Sequence, residues 1–252
     1  MFMKIENYSP EADLLNDRVI LITGAGDGLG RAAAKACAQH GATVILLGRT
    51  AHKLEQVYDE IEALDAPQAA IYPLNLEGAT QQDYQDLANT LENEFGQLNG
   101  ILHSAAWLGA LTPMESYDAE TWFKVMQVNL NGPVQLTQAC LPLMHQSETP
   151  SILFTLDDKN RAYWGAYGVS KHALSGLVKV WADELENDTP SGKRRRIRVN
   201  GINPGPTRTN LRTKAYPGEL PSELPSPEEK MTRYLYLIGN DSQHISGEII
   251  RL

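Results

Sequence analysis

Cysteine is scarce in this chain. There are two in 252 residues, Cys37 and Cys140, each inside a stretch that reads as helix. Two separated thiols make neither a disulfide framework nor a zinc site, which need paired or clustered ligands. Both are expected as reduced, buried thiols, because free cysteine behaves as a small hydrophobe. Long hydrophobic runs are also missing. The longest are strand-length, such as Val44-Ile45-Leu46-Leu47, far short of a membrane span. The opening residues, MFMKIENYSPEADLLND, lack the apolar core of a secretory leader. No membrane partner is therefore expected, and the cytoplasm is the expected location. Positive charge is in deficit as well, since 22 Lys and Arg against 31 Asp and Glu leave −9. That balance repels phosphate backbones, so no nucleic-acid partner is expected. The run Lys193-Arg194-Arg195-Arg196-Ile197-Arg198 reads as a solvated loop or a surface for acidic neighbours.

What the chain does have is enough apolar residue for one sizeable core, at 42%. Strand and helix patterns alternate from Arg18 onward. Continuous β-rich runs predict buried strands at 19–23, 43–47, 70–74, 100–103, 151–156 and 197–202, with a short last strand at 248–251. Between them, helices are predicted at 28–40, 51–64, 82–95, 120–146 and 163–186, with possible kinks at Pro133 and Pro142. This rhythm predicts a single α/β domain over residues 14–252. It is a Rossmann-like, doubly wound parallel sheet of about seven strands with helices on both faces. Ligands then bind at the carboxyl ends of the strands. Residues 1–13 read as a polar arm outside the core. Residues 212–229 hold four prolines and little apolar periodicity, the composition of a lid loop or a disordered segment.

The turn Thr23-Gly24-Ala25-Gly26-Asp27-Gly28-Leu29-Gly30 lies between the first strand and the first helix. Gly24 permits a tight turn, Gly28 lets backbone come near a pyrophosphate, and Gly30 permits close helix packing. The helix amino end adds free N–H groups and the positive end of its dipole. Together they predict a dinucleotide site. The second strand ends at Gly48-Arg49 rather than at an acid. Arginine suits a ribose 2′-phosphate by charge and fork geometry, which favours NADP over NAD. Asp27 argues the other way, because a carboxylate repels that phosphate. Further on, Tyr167 and Lys171 stand four apart and so share a helix face. A free tyrosine titrates near ~10, and a neighbouring ammonium is expected to lower that value. No metal ligands are expected.

These residues, with Asn129 in Val128-Asn129-Leu130, Tyr167-Gly168-Val169-Ser170-Lys171 and Asn203-Pro204-Gly205, resemble the short-chain dehydrogenase/reductase family over residues 14–252. Within it, the stretches LLNDRVILITGA, VILLGRT, VMQVN, WGAYGVSK and INPGPTRT look most like the YciK-type bacterial oxidoreductases. The resemblance implies hydride exchange between NADP or NAD and a small-molecule carbonyl or alcohol. It implies that Gly24, Gly28, Leu29 and Gly30 face the pyrophosphate and that Asn75 and Leu76 lie near the adenine. Ser104 and Ala105 would flank the cofactor, and Pro204, Gly205, Thr207 and Thr209 would hold the nicotinamide end and phosphates. Tyr167 becomes the acid/base, Lys171 its tuner and ribose holder, and Asn129 the support of a water-linked proton path. It also implies a homodimer or homotetramer built through the two long helices.

Two departures stand against that pattern. The family's serine at the end of the fifth strand aligns on Asp157, and the following loop is about three residues short. Thr155 would supply a hydroxyl only on a shifted strand register. After the fourth strand, His103-Ser104-Ala105-Ala106 replaces Asn-Asn-Ala-Gly, which is acceptable if Ala106 keeps a negative φ. His103 itself reads as a structural histidine. Losing an oxyanion donor costs ~3–4 kcal/mol, so the alternative expectation is an impaired relative that binds a dinucleotide for a structural or sensing role. Trp107, Leu108, Tyr163 and Trp164 flank the expected pocket, as substrate-site lining or as wall packing.

Overall fold

A computed structural model describes residues 8–186 and 195–252. Lys193 and Arg194 of the basic run, and residues 1–7 of the polar arm, lie outside the described residues. Seven parallel strands form one sheet: β1 Val19–Thr23, β2 Thr43–Gly48, β3 Ala70–Pro73, β4 Gly100–His103, β5 Ser151–Thr155, β6 Arg198–Asn203 and β7 Ile249–Arg251. Their order is β3-β2-β1-β4-β5-β6-β7. All five residues of β1 are buried because both faces of the sheet are covered. Successive side chains alternate between those faces. Ile20 and Ile22 join one core with α1 (Gly28–Gln39), α2 (Ala51–Glu62) and α8 (Met231–Ile238). Val19 and Leu21 join the other with α3 (Gln81–Phe95), α5 (Gly132–Met144) and α6 (Gly165–Glu184). The doubly wound α/β expectation holds.

The helix expected over 120–146 is instead three segments. α4 (Ala119–Met126) and α5 are joined by one wide π turn, Gln127–Asn131. The break falls where Pro133 lacks an N–H and its ring crowds the preceding turn. The ladder slips there to the Gly132 N–H→Gln127 O bond. Pro142 stays inside α5. The helix expected from 163 begins at Gly165, because Tyr163 takes a left-handed φ of 73°. α8 was not expected, although Met231, Tyr234, Leu235 and Ile238 carry helical spacing and are buried. The proline-rich segment 212–229 contains the end of α7 (Asn210–Ala215) and two 3₁₀ turns, Pro221–Glu223 and Glu228–Lys230. Tyr8, in the segment expected as an outlying arm, packs its ring 4.8 Å from that of Tyr236.

The basic run is partly absorbed by the fold. Arg198 is buried and donates to Leu237 O at 3.1 Å, Gly239 O at 2.9 Å and Ser242 Oγ at 2.6 Å, which satisfies the carboxyl end of α8. Arg196 pairs with Glu186 at 2.8 Å. Both cysteines are free and buried, and burial pushes each thiol up to about 12. Among the described residues, no helix is long and apolar enough to cross a membrane, and no cluster of potential metal ligands occurs.

Candidate active site

β1 has β2 on one side and β4 on the other, so the chain winds outward in both directions from this point. The loops leaving the carboxyl ends of the strands diverge here and open a crevice. The cavity there measures about 910 Å³. Its floor is the glycine turn. Gly24 has φ +68°, and a Cβ there would sit 2.8 Å from Ala105 Cα. A Cβ on Gly30 would lie 2.3 Å from Gly24 O. Asp27 starts α1 without the side-chain capping bond to the N–H groups beyond Gly28, so those first-turn groups lack that partner. Bare backbone at a helix amino end fits a pyrophosphate. Gly24, Asp27, Gly28, Leu29 and Gly30 all line the cavity.

Above the turn, Arg49 follows β2, and Asn75 and Leu76 follow β3; all three line the same cavity. Asp27 is not a free anion there. Its carboxylate accepts from Lys53 Nζ at 2.9 Å and Asn210 Nδ2 at 2.8 Å. Burial alone would raise its pKa, but those two bonds and the Lys53 charge outweigh burial and hold it below the usual range. The expected repulsion of a 2′-phosphate is therefore offset by Lys53, with Arg49 contributing further positive charge. The sequence did not reveal Lys53 or Asn210, because neither is near Asp27 in the chain.

At the other end, Pro204, Gly205, Thr207 and Thr209 line the cavity after β6, and Ser104 and Ala105 after β4. The N–H groups of Ser104 and Ala105 both donate to Thr23 Oγ1 at 3.1 Å, which ties β4 to β1 without an asparagine. Ala106 is not among the residues with positive φ, so the condition on it is met. His103 faces away into the core, where Nε2 meets Thr137 Oγ1 at 2.9 Å and the ring stacks 4.6 Å from Phe154. Trp107, Leu108 and Trp164 line the cavity; Tyr163 does not, and is 62% exposed.

Tyr167, Lys171 and Asp157 meet at the cavity's inner wall. Tyr167 and Lys171 are one turn apart on α6, and both are buried. Tyr167 Oη donates to Asp157 Oδ2 at 3.1 Å. The Thr155 hydroxyl points elsewhere, 3.5 Å from Tyr234 Oη, because β5 keeps a regular register with β4 and β6. Lys171 Nζ donates to Thr155 O at 2.8 Å and lies 6.0 Å from the Tyr167 ring centroid. Burial pulls this ammonium down to about 8, against a smaller upward pull from Asp157. The expected lowering of the Tyr167 pKa by Lys171 is not what this arrangement gives. Burial, then the Asp157 charge and hydrogen bond, hold the hydroxyl well above its usual value. Among the residues expected to act in catalysis or hold the cofactor, Asn129 alone does not line the cavity. Seated in the π turn, it accepts from Trp107 N at 2.8 Å and donates to Trp107 O and Ser170 Oγ at 3.0 Å. It fastens the loop after β4 to α6.

Several lining residues were not anticipated. Tyr216 and Arg212, from the proline-rich segment, face the cavity, with Arg212 stacked 3.7 Å from the Tyr216 centroid and paired with Glu219 at 2.7 Å. Lys159 lies 3.9 Å from Asp157 Oδ1, over the rings of Trp164 and Tyr216 at 5.3 and 5.6 Å. Loop residues of this kind give no periodic signal in a sequence.

The chain is 44% identical to the oxidoreductase YciK of Escherichia coli (strain K12) over 244 residues, covering 96% of this chain and 94% of that protein. A short chain dehydrogenase of Pseudomonas syringae superposes with TM-score 0.92 at 50% identity, covering 97% of this chain and 98% of that one. A short chain dehydrogenase of Shigella flexneri 2a, complexed with NADP, superposes with TM-score 0.90 at 43% identity, covering 96% and 99%. The short chain dehydrogenase family model matches residues 18–220, and the chain belongs to that family.

Proposed function

We propose that the chain is an NADP(H)-dependent oxidoreductase acting on a small-molecule carbonyl or alcohol, with Tyr167 as acid/base. One observation carries the reading: the glycine turn, Arg49, Tyr167 and Lys171 all line one cavity at the strand ends. The NADP complex of the Shigella flexneri relative supports the choice of dinucleotide. When bound, that group supplies or takes up hydride. The residues here bind, orient and move protons. Gly24, Gly28, Leu29 and Gly30 hold the pyrophosphate at the amino end of α1. Arg49, with Lys53 offsetting Asp27, holds the 2′-phosphate. Asn75 and Leu76 flank the adenine, and Ser104, Ala105, Pro204, Gly205, Thr207 and Thr209 hold the nicotinamide end. Lys171 holds the ribose, and Asn129 positions the loop beside it.

Tyr167 Oη gives its proton to a developing alkoxide, or takes one from an alcohol. Asp157 opposes this step. A carboxylate about 4 Å from that oxygen repels it by up to ~4 kcal/mol at an effective dielectric near 20. The same carboxylate supports a second reading, dinucleotide binding without turnover. Residues 212–229 act as a lid, since Arg212 and Tyr216 reach the cavity from it. A homodimer or homotetramer forms through the long helices, where Phe123, Val169 and Val180 are 70%, 46% and 53% exposed.

The test is NADPH oxidation by the wild type and by Tyr167→Phe across a carbonyl panel. The variant is expected to lose about 10²–10⁴ in turnover while NADPH affinity stays within a few-fold. A variant as active as the wild type would remove Tyr167 from the chemistry. NADPH binding without any turnover would leave the second reading.

A further inference from the structure

We propose that this site reduces a carbon–nitrogen double bond carrying positive charge, an N–H iminium, in preference to a ketone or aldehyde. The proposal rests on the dinucleotide part of the reading above and departs from it on the substrate, ranking an iminium above the carbonyl in the same cavity. It starts from donor and acceptor accounting. The one proton on Tyr167 Oη is already directed at Asp157 Oδ2, 3.1 Å away. A carbonyl oxygen only accepts hydrogen bonds, and an ionised carboxylate only accepts as well. A carbonyl substrate would therefore compete with Asp157 for a single hydroxyl proton and then build negative charge beside a negative group. An iminium N–H is a donor. It pairs with the Asp157 carboxylate directly and leaves the Tyr167–Asp157 bond intact.

The surroundings agree. Lys171, the buried cation nearest the tyrosine, spends a hydrogen bond on Thr155 O at 2.8 Å rather than on Asp157. Lys159 approaches only the other carboxylate oxygen, Oδ1, at 3.9 Å. Among the described residues no ammonium or guanidinium hydrogen-bonds Oδ2, although Arg212 lines the same cavity and feels the carboxylate's charge. The aromatic wall already holds one ammonium, since Lys159 lies over Trp164 at 5.3 Å and over Tyr216 at 5.6 Å. Arg212 also stacks on Tyr216 at 3.7 Å, so these ring faces attract cations and Asp157 is the group left to pair with the substrate's charge.

The step balances without a further reactant. Hydride from a reduced nicotinamide dinucleotide forms the new C–H bond. The π pair of the C=N bond becomes the nitrogen lone pair, and a neutral amine results. The substrate gains two electrons, the dinucleotide loses two, and no proton is consumed when the substrate enters protonated. Positive charge passes from the substrate nitrogen to the nicotinamide ring, no negative charge is created beside Asp157, and the carboxylate also raises the population of the reactive protonated form.

The experiment uses the full chain with NADPH and two substrates of one ring shape, protonated dihydroisoquinoline and tetralone. NADPH binding is titrated separately. The wild type is expected to favour the imine in kcat/KM, and Asp157→Asn and Asp157→Ser should each lower the imine-to-ketone ratio by about 10²-fold. NADPH affinity within a few-fold of wild type shows that the variants are folded. Equal use of both substrates by the wild type, or a ratio unmoved in both variants, would overturn the proposal. So would NADPH binding with turnover of neither substrate. Failure of NADPH to bind at all would overturn the dinucleotide reading beneath it.

Discussion

Replacing Lys171 with methionine should make the protein more stable near neutral pH. Burial pulls the Lys171 ammonium from its usual 10.5 to about 8. At 1.36 kcal/mol per tenfold change in proton affinity, the folded state carries a penalty of about 3 kcal/mol when the group is charged. Below pH 8 both folded and unfolded forms are protonated, and the penalty is complete. Between about 8 and 10.5 the unfolded chain holds more protons, so stability rises with pH. Above 10.5 the penalty is gone. Methionine fills a similar volume without charge, but it leaves the Thr155 carbonyl without its 2.8 Å donor, at a cost of about 1 kcal/mol. The net gain at pH 7 is about 2 kcal/mol, or about 4–8 °C in Tm for a chain of this size. Urea midpoints of wild type and Lys171→Met at pH 7 and pH 10 read this directly. The gain should shrink to near zero, or reverse, at pH 10. A variant less stable at pH 7, or a gain independent of pH, would refute the reasoning.

Three further outcomes are expected. Arg49→Asp should lower the preference for NADPH over NADH by about 10²-fold or more, as competitive binding titrations would show, because a charged hydrogen bond to the 2′-phosphate is replaced by repulsion. Gly30→Ala should abolish NADPH binding and lower stability by about 1–3 kcal/mol, because its Cβ would press on Gly24 O at 2.3 Å; calorimetry reads both. His103 is buried and held down at about 3, chiefly by burial and then by Lys171. The unfolded histidine takes a proton near 6.5 while the folded one does not. Stability is therefore lost as pH falls from 6.5 toward 3, by up to about 5 kcal/mol. His103→Gln should flatten that part of the acid unfolding profile.

The parallel strands were legible because burial on both faces writes an uninterrupted apolar run, as in Val19–Thr23 and Thr43–Gly48. The glycine turn was legible because its backbone demands glycine at Gly24 and Gly30. α8 carried helical spacing but followed a proline-rich stretch that obscured its start. The π turn left only Pro133 as a trace, and a proline marks a break without giving its form. Asp157 follows β5, which ends at Thr155, and the structure adds its bond to Tyr167, a contact no strand pattern announces. Pairings between distant segments, such as Lys53 and Asn210 with Asp27, have no local pattern and emerge only when the sheet brings three loops together. The Tyr167–Lys171 spacing was read correctly as one helix face, but spacing does not report burial, and burial is what decides both groups' proton affinities.

Amide hydrogen exchange along the whole chain, with and without saturating NADPH, tests most directly whether the crevice at the strand ends is a dinucleotide site. Slowed exchange is predicted in the glycine turn at 23–30, after β2 at 49–53 and after β6 at 203–209, with the opposite end of the sheet unchanged. Exchange unaffected by NADPH in all three segments would contradict the claim.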